Sequence, residues 1–258
     1  MGIIKTKRKT EGFTIIEVMF VLAIGGLLMV SLMIGITGTI QQQRFKDSII
    51  STQAFLQQQY DLAMNIQNDR NGAAGACDGG ANRGTDSCVV LGRLIKLYEH
   101  IGGASDEYQI TAYDIIGKDD KSLLDATYTG TLLDYLNVKA DLKVASTSTK
   151  IDFIIPWGTQ MNSSGLTIPK DNDGEGDEVS YIAILRSPKG GELHVYKLDT
   201  GSETSSPILL KEIDKNVVIC LSSAEMDNYI PARLLINGSI GSQNGVTTQF
   251  DIEGAPCQ

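Results

Sequence analysis

The strongest constraint on this chain is the stretch FTIIEVMFVLAIGGLLMVSLMIGI, residues 13–36, in which the one charge is Glu17. As a helix at about 1.5 Å per residue it spans roughly 36 Å, enough to cross a hydrocarbon core of about 30 Å. Apolar all round, such a helix needs a membrane or the core of an assembly to cover it. Lys5, Lys7, Arg8 and Lys9 precede it. The positive-inside rule therefore keeps the N-terminus in the cytoplasm and sends the remainder outward. A signal peptide has an apolar core of only about 7–15 residues that closes on a small-x-small site. This run is longer and no A-x-A follows it. A plain signal anchor leaves Glu17 unexplained. A carboxylate near mid-bilayer costs about 2.5–3.5 kcal/mol, so it is a functional residue by default and needs a partner.

The junction residues sharpen this. In GFTIIEVMFVLAIGGLLM a Gly precedes Phe, then Thr-Ile-Ile-Glu, then the apolar run, all behind a short basic leader. The segment resembles the prepilin signature of type IV pilins and type II secretion pseudopilins, over about residues 5–40. The resemblance implies cleavage between Gly12 and Phe13 by an aspartic prepilin peptidase, with N-methylation of Phe13. The amine so created is cationic near neutral pH. In the family, the carboxylate at the position of Glu17 meets the N-terminal amine of a neighbouring subunit. An unpaired acid in a low-dielectric core is costly and a paired one is tolerated, so Glu17 is expected to act as an assembly register residue. The chain departs from many major pilins in having no Pro before Pro156; Gly25, Gly26, Gly35 and Gly38 stand in the helix instead.

Beyond the apolar run, Phe45, Ile49, Leu56, Ala63 and Ile66 recur at helical steps among polar residues. The pattern predicts one continuous helix over residues 13–68, ended at Asn71-Gly72. A Gly-rich loop follows. Then come short β-branched runs bounded by turn residues: CVVLGRLIKLY, EYQITAYDII, KIDFIIPW, VSYIAILRS, ELHVYKL, PILLKEI, NVVICLSS, ARLLIN and VTTQFDI. PKGG between the fourth and fifth predicts a hairpin, and SLLDATYTGTLLDYLNV holds one short helix. The expected class is α+β, a long transmembrane and stem helix on a mainly antiparallel sheet. The expected division is a leader at 1–12, a filament-core half-helix at 13–40, a stem at 41–70 and an extracytoplasmic body at 71–258. SCVVLGRLI also resembles the first strand of minor-pseudopilin bodies.

Cys77, Cys88, Cys220 and Cys257 all follow the membrane segment and are expected in an oxidising space as structural disulfides. Four cysteines allow three pairings. Cys77–Cys88 and Cys220–Cys257 would contribute about 3 and 4 kcal/mol in the chain-entropy account. The second resembles the C-terminal disulfide-bounded loop of pilins. In DNDGEGDE, Asp171, Asp173 and Glu175 alternate ahead of Gly176, as in the opening of a Ca²⁺ loop. The twelfth position is Ile182, so Asp177 or Glu178 would have to close the site; the alternative is a solvated turn.

The net charge is −9, yet the residues before Phe13 sum to +3 (four cations against Glu11), so the remainder carries −12. An acidic body argues against nucleic acid as a direct partner. The sequence shows no H-E-x-x-H, G-x-S-x-G or P-loop, and the two histidines, His100 and His194, read as surface or turn residues. No enzyme is expected and no cofactor is required. The expected function is a structural subunit, in particular a minor pilin, of a type IV pilus or pseudopilus. It would be inserted in the cytoplasmic membrane and then carried into an extracellular or periplasmic filament. The implied partners are the prepilin peptidase, other pilin subunits, the inner-membrane assembly platform and the membrane. The rival readings are a filament-tip adhesin or uptake receptor, and an anchored protein that never polymerises.

Overall fold

The computed structural model describes residues 12, 14–65, 88–101, 107–118, 130–144, 150–162, 181–187, 191–198, 208–213, 216–223, 232–237 and 245–250. They belong to two compact units, Met1–Arg44 and Phe45–Gln258.

A single 50-residue helix, α1 (Ile15–Met64), runs from the first unit into the second. It is shorter than the expected 13–68 at both ends. At the start, Thr14 lies outside the helix and accepts from its first turn. At the end, the Met64 carbonyl oxygen accepts from Arg186 Nη1 at 3.2 Å, a cation at the negative end of the helix dipole. Ile66 lies outside the described residues.

Among the described residues eleven strands and a second helix follow: β1 (Cys88–Ile101), β2 (Glu107–Lys118), α2 (Leu132–Val138), β3 (Lys143–Val144), β4 (Ile151–Ile154), β5 (Thr159–Asn162), β6 (Tyr181–Arg186), β7 (Leu193–Leu198), β8 (Leu210–Glu212), β9 (Val217–Ser223), β10 (Ala232–Ile236) and β11 (Val246–Gln249). One sheet has the order β3-β2-β1-β6-β7-β8, with β4 also on β2; the other has the order β11-β10-β9-β5. Every pairing is antiparallel. The architecture is α+β, as the run of strands after one long helix predicts.

Each of the nine apolar runs forms a strand, and α2 is the short helix. Thr131 caps α2 by accepting from the Asp134 backbone nitrogen, while the Asp134 side chain accepts from the Thr131 nitrogen, a reciprocal box that satisfies two orphan donors. The PKGG connection is a hairpin in which Ser187 N donates to the Glu192 carbonyl at 2.7 Å, and Gly191 takes φ +71°. β3 and β5 were not foreseen. Their runs, KV and TQMN, carry too little apolar alternation to announce a strand. His100 and His194, read as surface or turn residues, both lie in strands, β1 and β7.

Two cores divide the body. The larger joins the stem half of α1 to both sheets: Phe45, Ile49, Leu56 and Ala63 meet Ile95, Ile110 and Ile184 of the first sheet and Ile219, Leu234 and Val246 of the second. The smaller lies on the other face of the first sheet, where Tyr135 and Leu136 of α2 pack with Leu94, Ile115 and Leu185. Cover on both faces explains why β6 buries Ile182–Leu185 without alternation. β1 and β6 approach so closely that a Cβ at Gly92 would stand 2.0 Å from the Ile184 carbonyl oxygen.

Candidate functional site

The candidate site is the start of α1. Gly12 precedes the helix and is exposed. Thr14 is its N-cap: the Glu17 backbone nitrogen donates to Thr14 Oγ1 at 3.3 Å and to the Thr14 carbonyl at 3.1 Å, and Val18 N donates to the same carbonyl at 3.2 Å. Glu17 thus sits in the first turn, where the helix dipole favours a negative charge. This local role is written in the sequence as T-x-x-E at residues 14–17 and goes beyond the assembly role expected above. Phe13 lies outside the described residues.

From Val18 to Ile36 the helix carries no charge and is almost wholly apolar. The large hydrophobic side chains described between Ile15 and Ile40 are 42–79% exposed. A Cβ at Gly25, Gly26 or Gly38 would meet nothing within 4 Å. The helix is long and apolar enough to cross a membrane. Exposed apolar area on this scale marks a membrane or protein contact surface.

A family model described as the prokaryotic N-terminal methylation motif matches residues 7–33. This is the type IV pilin and pseudopilin signal. It spans Lys7, Arg8 and Lys9 of the leader, Gly12, Phe13, Glu17 and most of the apolar run. The motif implies processing by a prepilin peptidase and assembly with other pilins, and it points to a structural protein. The exposed apolar helix fits a membrane-anchored subunit. No curated protein and no solved structure matches the chain.

The other expected site residues lie in the second unit. Cys220 is buried in β9, opposite Asn162 of β5 and Arg233 of β10, and is disulfide-bonded. Cys88 is the first residue of β1, while Cys77 and Cys257 lie outside the described residues. Asp171, Asp173, Glu175, Asp177 and Glu178 also lie outside them, and among the described residues no cluster of three or more His, Cys, Asp or Glu gathers to hold a metal.

The body holds a polar group that sequence reasoning missed. Arg93 of β1 is buried on the face toward the stem. Its Nη1 pairs with Asp114 of β2, and its Nε donates to Gln59 Oε1 on α1 at 3.1 Å. The available signal was a cation, Arg93, inside the apolar run CVVLGRLIKLY, which also holds Lys96.

Proposed function

We propose that this chain is a structural subunit, a minor pilin, of a type IV pilus or pseudopilus. Cleavage after Gly12 exposes the Phe13 amine, which is then methylated. The subunit is held in the cytoplasmic membrane with its N-terminus inside until it polymerises through the apolar half of α1. The observation that carries this reading is the coincidence of the methylation motif at residues 7–33 with a helix whose described large apolar side chains between Ile15 and Ile40 are exposed. Glu17 serves as the register residue, its carboxylate pairing with the N-terminal amine of a neighbouring subunit. A buried charge left without its partner costs several kcal/mol, so a misplaced subunit is rejected. Cys77–Cys88 and Cys220–Cys257 are the proposed disulfides of the exported body, and the loop at Asp171–Glu178 is a proposed Ca²⁺ loop.

The test is incorporation. Glu17→Lys should leave cleavage and membrane insertion intact and abolish recovery of the protein in sheared filaments. Recovery of the variant at wild-type yield would remove Glu17 from the account. Immuno-gold labelling of filaments places the subunit: label along the shaft supports a structural role, whereas label confined to the tip supports an adhesin.

A further inference from the structure

The stem half of α1 presents a repeating apolar row to the sheets. Phe45, Ile49, Leu56 and Ala63 are all buried, at steps of four and seven residues. Its steps of seven repeat at two turns, but a slide of one turn, about 5.4 Å, still carries Phe45 to the place of Ile49 and Leu56 to that of the buried Tyr60. Apolar contact alone therefore defines the axial setting of the stem poorly, as in a coiled coil whose register is fixed by one buried polar residue.

Three polar residues interrupt the row: Ser48, Thr52 and Gln59, each fully buried. Thr52 Oγ1 donates within the helix, to the Ser48 carbonyl at 2.8 Å. Gln59 is different. Its Nε2 donates to Phe55 O at 3.3 Å, and its Oε1 accepts from Arg93 Nε at 3.1 Å. Arg93 in turn pairs with Asp114. The next helix residue, Tyr60, reaches the other sheet: its hydroxyl donates to the Asn237 carbonyl at 3.4 Å, and its ring lies where a Cβ on Gly245 would be, 2.6 Å from that point.

We infer that Gln59, Arg93 and Asp114 form a register key that holds the stem helix at one axial setting on the sheets. A one-turn slip would bring Phe55, Leu56, Leu62 or Ala63 to the place of Gln59. None of these side chains can accept from a guanidinium, so each one-turn slip leaves Arg93 Nε buried without the acceptor that Gln59 supplies. The key is selective rather than stabilising. Arg93 Nη2 is buried with no partner, and burying an ion pair recovers little net stability over well-packed apolar residues. Gln59 and Arg93 are positioning residues, and the inference does not depend on what the helix assembles with.

The test uses the full chain with spin labels on cysteines placed at the exposed positions Gln58 of α1 and Glu212 of β8, measured by pulsed electron resonance under non-reducing conditions. The parent should give one narrow distance. Gln59→Leu/Arg93→Met/Asp114→Leu should fold with an unchanged or higher thermal midpoint and give a second distance, displaced by up to about 5 Å. Gln59→Glu, which keeps an acceptor for Arg93, should retain the single distance. A single unchanged distance in the triple variant would overturn the key. So would failure of the triple variant to fold, which would make the network a source of stability. A second distance in Gln59→Glu would also contradict it.

Discussion

Glu17 shows how one residue can answer two demands. Within the chain its backbone completes the cap made by Thr14, and its carboxylate lies at the positive end of α1. That setting offsets part of the cost of an acid in an apolar segment, and the proposed amine of a neighbour supplies the rest. Glycines elsewhere divide by what surrounds them. A Cβ at Gly25, Gly26 or Gly38 would meet nothing within 4 Å, so no described contact requires a glycine there. Gly92 is required by the body. Gly92→Ala would drive a methyl into the Ile184 backbone and is expected to cost about 3 kcal/mol or prevent folding, read by chemical denaturation. Trp157 carries strain of the opposite kind. It holds φ 64° beside Gly158 at φ 60°, in a turn closed by Thr159 N donating to the Pro156 carbonyl. Such turns favour Asn or Gly at both centres. Trp157→Asn is expected to raise stability by about 0.5–1 kcal/mol; a lower denaturation midpoint would show that the half-exposed indole contributes more than its backbone costs.

Sheet edges and helix ends set the behaviour of the elements. β8 closes one end of the larger sheet, and Asn137 of α2 guards it. Its Nδ2 donates to the Leu210 carbonyl at 2.9 Å, and its Oδ1 accepts from Leu210 N at 2.8 Å. The side chain thus takes the place of a further strand and blunts the edge. Asn137→Leu should cost about 1–3 kcal/mol and speed hydrogen exchange at the Leu210 amide; unaltered exchange there would deny the guard role. Between β7 and β8, burial pushes the Tyr196 phenol up to about 12, and the charge of Glu212 adds to the shift. The ordinary value is about 10, so the folded state holds this proton more tightly than the unfolded chain. Its contribution is whole below about pH 10 and is lost as pH rises through about 12. Alkaline titration followed by ultraviolet absorbance should show Tyr196 ionising after the exposed tyrosines, and Tyr196→Phe should flatten the fall in stability over that window. Much of this level was readable in advance. Helical periodicity found the stem's buried row, and short β-branched runs bounded by turn residues marked nine strands, among them β6 and β9, which are buried without alternation. These signals missed β3 and β5, which are held by partners distant in sequence, and they missed Arg93, whose role depends on Gln59 arriving from another element.

At the scale of the whole molecule, the signal segment and the body differ in legibility for a physical reason. Residues 7–33 do their work through local order and composition, so the sequence carries the pattern complete, and the methylation motif matches there. The body's arrangement of two sheets about one helix rests on long-range pairings such as β1 with β6 and β9 with β5; its class was legible as α+β, its strand order was not. In the proposed function the chain is processed after Gly12 and then assembled through its apolar helix. The most direct measurement is the intact mass and N-terminal sequence of the mature protein from its own cell. A chain beginning at Phe13 with one added methyl group on its amine is the expected result. A chain beginning at Met1, or at a site beyond Thr37, would contradict it and leave an ordinary anchored or secreted protein.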